Sequence, residues 1–146
     1  MKLSTRSRYG ARMMIALARK QGKKPVFLRE IAREEGISEK YLSQLAMALK
    51  AKGYLATYRG AHGGYVLKKK PSDITLRNVV EALEGGANVV ECAADNGVCE
   101  RSPDCVIRGV WCRLAELINV YLESYTLLDL VNMIKRRDDE AVNYII

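Results

Sequence analysis

The stretch from residue 28 to residue 52 constrains the fold more than any other part of the chain. Two short segments with apolar residues at helical spacing flank a three-residue turn, Gly36-Ile37-Ser38. A helix-turn-helix needs a small residue on its first helix, a turn residue that tolerates positive φ, and an apolar residue that pins the turn. Ala32, Gly36 and Ile37 supply these, and Ser38 is a good N-cap for the second helix. The pattern therefore predicts a helix-turn-helix.

A β-hairpin is predicted directly after this motif. Two short runs rich in Tyr, Thr and Val, 54–58 and 64–68, flank a glycine-rich loop. Helical spacing also predicts a helix over roughly 5–20 and another over 75–83. The expected fold is therefore mostly α with a small β-hairpin: a winged helix-turn-helix followed by a long C-terminal dimerisation helix.

Charge divides the chain into two halves of opposite sign. Residues 1–70 hold 17 Lys and Arg against 4 acidic residues, a net charge of +13, whereas residues 71–146 hold 7 against 13, a net charge of −6. A basic face can be merely solvated, but segregation this strong favours a polyanionic partner for the first half. With the helix-turn-helix and the hairpin, it predicts binding to double-stranded DNA.

The third helix predicts where DNA is contacted. Its leucines fall on one side, which leaves a polar side for the major groove, where Lys40 and Gln44 can donate to base edges or phosphates. In the hairpin loop, Arg59 suits a narrow minor groove, whereas His62 can equally be an ordinary turn residue. The residues expected to contact DNA are Ser38, Glu39, Lys40, Tyr41, Ser43, Gln44, Arg59, Gly60, His62 and Gly63.

A long C-terminal helix is predicted after a loop over residues 86–102. Ser102 would cap it, Pro103 would take its first position and Asp104 its first turn. An apolar stripe at helical spacing runs along it and suits the same helix of a second copy, although it could also pack within its own monomer. The stripe consists of Val106, Val110, Leu114, Leu117 and Tyr121.

Composition and length limit the remaining possibilities. A chain of 146 residues forms one or two small domains; we expect a DNA-binding unit (1–70), a connecting helix with a sensor loop (71–102) and a dimerisation segment (103–146). No stretch has the length of a membrane span and no secretory signal is visible, so we expect a cytoplasmic location. One histidine, without an identifiable nucleophile–base pair, argues against an enzyme.

All four cysteines lie in one 21-residue stretch. They are Cys92, Cys99, Cys105 and Cys112, separated by six, five and six residues. Structural disulfides are not expected in a cytoplasmic chain, so the clustering indicates metal or redox chemistry and makes these four the candidate metal ligands. Zinc sites usually show closer pairs, which leaves zinc as the weaker alternative.

Several segments together resemble the family of the iron–sulfur cluster regulator IscR. The segments are MKLSTRSRYGARMMIALA, ISEKYLSQL, RGAHGGYVL, LRNVVEALEG, the three cysteines Cys92, Cys99 and Cys105, and VW and TLLDL further on. The resemblance implies a homodimeric bacterial transcription factor whose three cysteines hold an iron–sulfur cluster. The cluster type expected from the resemblance is 2Fe-2S. It also implies control of cluster-assembly genes.

The chain departs from this family pattern at the fourth ligand. Arg108 stands where the best-known member has a histidine, and Arg8 stands where nitric-oxide-sensing relatives have an acidic residue. Cys112 is either an alternative ligand or an ordinary buried helix cysteine, since it lies two helical turns, about 10.5 Å, beyond Cys105. Asp104, Glu100 and an external ligand stay open as well.

A second departure affects the DNA-reading helix. The family often carries Glu where this chain has Ser43, so the chain is expected to discriminate operator classes differently.

Two other functions stay open: the same DNA-binding fold with zinc or thiol oxidation as its signal, and a regulatory subunit that binds a metabolic enzyme.

Overall fold

The computed structural model describes residues 3–86 and 89–143. Within these ranges, helices are joined by one two-stranded antiparallel hairpin, which contacts α1 and α3 and whose register runs from the pair Leu55–Leu67 to the pair Tyr58–Gly64. The elements are α1 Thr5–Arg19, α2 Leu28–Glu35, α3 Glu39–Ala51, β1 Leu55–Tyr58, β2 Gly64–Leu67, α4 Leu76–Glu84, α5 Glu91–Ala94, α6 Val106–Glu123 and α7 Leu127–Asn143. The expected fold class, mostly α with one small hairpin, is confirmed.

The turn between α2 and α3 has the geometry that the sequence predicts. Gly36 ends α2 in the left-handed region, with φ of 63°, and its N–H donates to the Ala32 carbonyl. Ile37 is buried and holds the turn on the core. The Ser38 hydroxyl accepts a hydrogen bond from the Tyr41 N–H at 3.1 Å and caps α3. A left-handed residue without a side chain is therefore what allows the two helices to cross here.

The hairpin, or wing, is fastened to the segment after α1. Val26 and Tyr65 exchange backbone hydrogen bonds of 3.0 and 2.8 Å, so Val26 extends the sheet by one residue. Gly64 has φ of 132°, and a Cβ there would lie 2.6 Å from the Val26 carbonyl carbon. Glycine is required at this position because the two backbones approach too closely for any side chain.

One apolar core extends from α1 to α7. It joins Met13 and Met14 of α1 with Leu42 of α3 and with Leu127 and Val131 of α7, all of them buried. The basic N-terminal half therefore packs directly on elements of the acidic C-terminal half. Burial of these side chains removes apolar surface from water, which is the main favourable contribution to folding.

Helices α1 and α4 pack in especially close contact. Gly10 of α1 lies against the side chain of Leu83, which is itself buried. At the end of α4, Glu84 accepts hydrogen bonds of 2.5 Å from the hydroxyls of Ser4 and Ser7. These bonds, from Ser4 first and Ser7 second, hold the pKa of the Glu84 carboxyl below its usual value. They stabilise the ionised form, so their contribution is lost as pH falls through that lowered pKa.

The start of the long C-terminal helix differs from the prediction. Ser102–Asp104 form a separate 3₁₀ turn with Pro103 in its first positions. Cys105 is extended, with φ of −86° and ψ of 100°, and α6 begins only at Val106. The expectation that Ser102 caps the long helix is wrong, because the extended residue separates the turn that Pro103 initiates from the helix proper.

The C-terminal segment also divides into two helices. α6 ends at Glu123, and Thr126 begins α7 by exchanging hydrogen bonds with Asp129: its N–H donates to that carboxylate at 2.8 Å and its hydroxyl accepts from the Asp129 N–H at 3.1 Å. This reciprocal pairing is a helix-start signal. None of the helices in the described residues is long and apolar enough to span a bilayer.

Gly10 tests the α1–α4 contact. Gly10→Ala gains about 1 kcal/mol of helix propensity but forces a methyl group onto Leu83 in a filled core, which costs about 1–3 kcal/mol. We expect a net destabilisation of about 1 kcal/mol in urea unfolding at fixed protein concentration. In a Leu83→Ala background the same change should instead stabilise by about 1 kcal/mol, because the space is then open. Equal effects in both backgrounds would contradict the contact.

Candidate DNA interface and cysteine loop

Helix α3 presents one buried and one solvent-facing side. Leu42, Leu45 and Leu49 are at most 2% exposed and anchor the helix to the core. On the other side, Ser43 is half-buried, and the other polar residues predicted to contact DNA, apart from Tyr41, are open to solvent together with one methionine. The exposed side chains are Ser38, Glu39, Lys40, Gln44 and Met47. The structure thus brings the predicted α3 residues other than Tyr41 to one accessible face.

Tyr41 is positioned by α1. Its ring packs edge-on against Tyr9, with centroids 6.0 Å apart and planes at 88°. Its hydroxyl lies 3.2 Å from the Thr5 hydroxyl. The half-buried Tyr41 therefore joins the start of α3 to α1, a role that sequence reasoning missed because spacing along α3 says nothing about α1.

The wing tip exposes Arg59, Gly60 and His62, as the sequence predicts. Gly60 has φ of 101°, and its carbonyl accepts a 3.0 Å hydrogen bond from the Gly63 N–H. Gly63 is buried, and a Cβ at this position would overlap the Tyr58 carbonyl oxygen. Gly63 therefore closes the loop, whereas Arg59 and His62 are the accessible side chains of the tip.

A direct hydrogen bond connects the wing to α3. Lys50 Nζ donates to the Thr57 hydroxyl on β1 at 2.8 Å. Lys50 lies one helical turn after Met47, the last residue of the accessible face. Its bond to Thr57 therefore marks where the open face of α3 ends and the contact with the wing begins. The sequence carries no signal for the contact, since it depends on how the hairpin folds back toward the helix.

The cysteines lie around the start of α6. Cys92 is on α5, Cys99 is exposed after a 3₁₀ turn, Cys105 precedes α6, and Cys112 lies two turns into it. None of these four, all in the described residues, forms a disulfide. Arg108 Nε donates to the Cys92 carbonyl at 2.8 Å and ties α5 to α6. Arg108, which stands at the position of the family's histidine, thus holds α5 against α6 through the backbone carbonyl of Cys92.

The loop cysteines have the side chains that bind iron–sulfur clusters, but among the described residues their side chains do not converge into a ligand set. Three thiols within 14 residues are the donors that such clusters use. Ser102, between Cys99 and Cys105, is 8% exposed, and in the part of the chain described its hydroxyl has no hydrogen-bond partner. However, no three His, Cys, Asp or Glu side chains within residues 3–86 and 89–143 converge closely enough to hold a metal ion.

The predicted stripe on α6 is largely open to solvent. Val106 is 89% exposed, Val110 54%, Leu117 51% and Tyr121 64%, whereas Leu114 is half-buried. These side chains run along one helix as a continuous apolar face. A monomer seldom leaves such a patch uncovered, so the face has the character of an interaction surface.

Comparison with known proteins assigns this architecture to a family. A family model for Rrf2, described as an iron-dependent transcriptional regulator, matches residues 3–133. The chain belongs to the Rrf2 family. It is 43% identical over 131 residues to Protein rrf2 of Nitratidesulfovibrio vulgaris strain Hildenborough, covering 90% of this chain and 87% of that protein.

Solved structures of Rrf2-family regulators have the same fold. The structure of CymR, titled the global cysteine regulator of B. subtilis, superimposes with a TM-score of 0.75 at 38% identity, covering 91% of this chain and 98% of that one. T. potens IscR superimposes with a TM-score of 0.75 at 33% identity, covering 92% and 88%. The resemblance to the IscR family is confirmed, and this Rrf2-family chain is a transcriptional regulator with a DNA-binding winged helix.

Arg59 provides a test of the wing. Arg59→Ala should weaken binding to a duplex selected from a random library by roughly tenfold, and lower the slope of log K against log salt concentration by about one per wing. Arg137→Ala, which removes an exposed arginine from α7, is the matched control and should change neither quantity. Fluorescence anisotropy at several salt concentrations measures both. Equal effects of the two substitutions would count against a specific contact by the wing.

Proposed function

We propose that the chain is a cytoplasmic homodimer that regulates genes of iron–sulfur cluster biogenesis according to cluster status. The observation that carries the proposal is the set of three free cysteines, with Cys92 on α5, Cys99 in the loop and Cys105 directly before α6. That loop is attached to the helix with the exposed apolar face, so a change in the thiols acts next to the proposed dimer contact. The description of the matching family, an iron-dependent regulator, supports the choice of signal.

Operator recognition is assigned to α3 and the wing. The exposed Lys40 and Gln44 face the major groove, and Arg59 enters the adjacent minor groove. Ser43 takes the place of the more usual glutamate and removes a negative charge from the reading face. The net charge of +13 on residues 1–70 supports the proposal, because phosphate neutralisation contributes much of the affinity for duplex DNA.

Dimerisation is assigned to the α6 stripe. A second copy of the same helix is the simplest partner for an apolar face on one helix, because two-fold symmetry makes the same patch complementary to itself. Two copies of α6 would also place two DNA-reading helices in one molecule, as a palindromic operator requires. Burial of these valines and leucines against their copies would contribute roughly 25 cal/mol for each Å² of apolar surface covered.

A charge placed in this stripe tests the dimer. Val110→Asp should convert the dimer into monomers, because an unpaired carboxylate cannot be buried at the helix contact without a large desolvation penalty. Val142→Asp is the matched control, since Val142 is a similarly exposed valine, 60% against 54%, on α7. Sedimentation velocity gives the result directly. If Val110→Asp stays dimeric, or if both variants dissociate, α6 is not the dimer contact.

The structure offers a path of contacts from the cysteine loop to the DNA-reading helix. α5 is tied to α6 through Arg108, and the loop begins directly after α4. At the end of α4, Glu84 holds Ser4 and Ser7 of α1, and beside them Thr5 contacts Tyr41 on α3. A shift of α5 and α6, which packs on α4, can therefore reach α3 through α4 and α1.

Cys92, Cys99 and Cys105 are the residues proposed to hold the cluster. When bound, an iron–sulfur cluster supplies a redox-active centre ligated by thiolates. The residues of this chain have to gather three thiols from α5, the loop and the start of α6, and of these three Cys99 is the exposed one. Cys112, half-buried on α6, is the candidate fourth ligand, with Asp104 and Glu100 as the alternatives.

Visible absorption tests the signal. Anaerobically purified protein should be coloured and carry iron and sulfide, and Cys99→Ala should lose both. Cys112→Ala reports on the fourth ligand, because loss of colour supports Cys112 and retention favours a carboxylate or external ligand. Far-UV circular dichroism checks that each variant is folded. A colourless wild type after reconstitution with iron and sulfide would overturn the cluster proposal while leaving the DNA-binding function intact.

Thiol oxidation is the second candidate signal. The exposure of Cys99 and the half-exposure of Cys92 and Cys105 make these thiols accessible to an oxidant. Similarity to the global cysteine regulator CymR adds to this alternative. A colourless protein whose operator affinity changes on peroxide treatment, and returns with a thiol reductant, would support it. Insensitivity of both wild type and Cys99→Ala to peroxide would exclude it.

A further inference from the structure

Met47 stands apart from the residues around it on α3. It is 69% exposed, whereas Leu42, Leu45 and Leu49 of the same helix are at most 2% exposed. Singly exposed apolar residues are common on protein surfaces and need no explanation by themselves. The position of Met47 gives its exposure significance, because it lies on the face proposed to read DNA and outside the core-facing stripe.

Helical spacing places Met47 among the polar residues of that face. Residues three, four and seven apart share one side of a helix, and Met47 follows Ser43 by four, Gln44 by three and Lys40 by seven residues. Lys50, three residues further along the helix, donates a hydrogen bond to the Thr57 hydroxyl of the wing at 2.8 Å. Met47 is therefore the last residue of the reading face before the wing contact begins.

The major groove offers one kind of apolar partner to such a side chain. Base edges there present hydrogen-bond donors and acceptors, and the C5 methyl group of thymine is the apolar exception. A methionine is long, unbranched and adaptable, so it can reach a methyl group and pack on it. The strongly basic surroundings bring the helix to duplex DNA, which makes a base edge the partner that fits this exposed side chain.

We infer that Met47 is a specificity-determining residue that contacts a thymine methyl group in the operator. The inference rests on the proposed DNA-reading face of α3 and adds to it a preference that no hydrogen bond supplies. Lys40 and Gln44 read polar base edges, whereas Met47 distinguishes thymine from the bases that lack the methyl group. Each operator half-site then contains one A·T pair selected by apolar contact.

Deoxyuridine gives a selective probe, because uracil differs from thymine only by the absent methyl group. A duplex selected from a random library by the wild-type protein is resynthesised with uracil at one thymine position at a time, and Kd is measured by fluorescence anisotropy. We expect one position per half-site at which uracil weakens wild-type binding by about fourfold, the value for one buried methyl group.

Variants at position 47 assign this effect to the side chain. Met47→Ala should bind the thymine duplex about fourfold more weakly per contact and show no further loss with uracil. Met47→Leu, which keeps an apolar side chain of similar volume, should retain the discrimination. Gln44→Ala is the matched control on the same face: it should weaken binding yet keep the uracil penalty. Circular dichroism and sedimentation confirm that each variant is folded and unchanged in assembly.

The outcomes separate this inference from the proposed function. An enriched duplex with no uracil penalty in the wild type, or with the same penalty in Met47→Ala, overturns the role of Met47 alone. A library that yields no enriched duplex overturns operator recognition by α3 and this inference together. A uracil penalty that disappears only in Met47→Ala establishes the contact.

Discussion

The packing of α1 against its neighbours is the constraint on which the rest of the structure depends. Met13 and Met14 are fully buried, and their helix contacts α3, α4, α7 and the wing strand β2. Because α1 stands between the DNA-reading helix and the C-terminal helices, the position of α3 is set by elements far from it in sequence. Gly10 is necessary to this arrangement, since it lets α4 approach until Leu83 lies against the α1 backbone.

This arrangement also gives the regulator a physical route between its two ends. The bonds from Ser4 and Ser7 to Glu84, and the contact between Thr5 and Tyr41, belong to the same two turns at the start of α1. A small displacement of one close-packed helix moves its neighbours, because the packed side chains leave no space that could absorb it. α6 packs on α4, so the proposed sensor is connected to the proposed DNA-reading helix through α4 and α1 although the two are distant along the chain.

Specificity in the proposed DNA interface comes from several kinds of contact. The wing is held near its loop end, on β2 by the Val26–Tyr65 bonds and on β1 by the Lys50–Thr57 bond, so these contacts lie close to Arg59. On α3, polar side chains and Met47 address different features of the base edges. In this proposal, the absence of a charge at Ser43 and an apolar contact at Met47 would both alter which operators bind.

The sequence by itself determined the local elements of this protein. The Gly36 turn, the Ser38 cap, the polar face of α3 and the glycine-rich wing follow from backbone preferences and spacing, which act within a few residues. The apolar stripe of α6 was likewise predictable from helical spacing. The beginning of α6 was not predictable, because the extended Cys105 separates the turn at Pro103 from the helix and no spacing pattern marks that break.

Only the tertiary structure decided how these elements meet. That Tyr41 is held by α1, that Lys50 binds Thr57 and that Arg108 secures Cys92 through its carbonyl are contacts between residues 7 to 36 positions apart. Periodicity identifies which face of a helix is polar or apolar but not which element covers it. The physical reason is that close packing selects partners by shape and distance in three dimensions, and a linear pattern does not encode these.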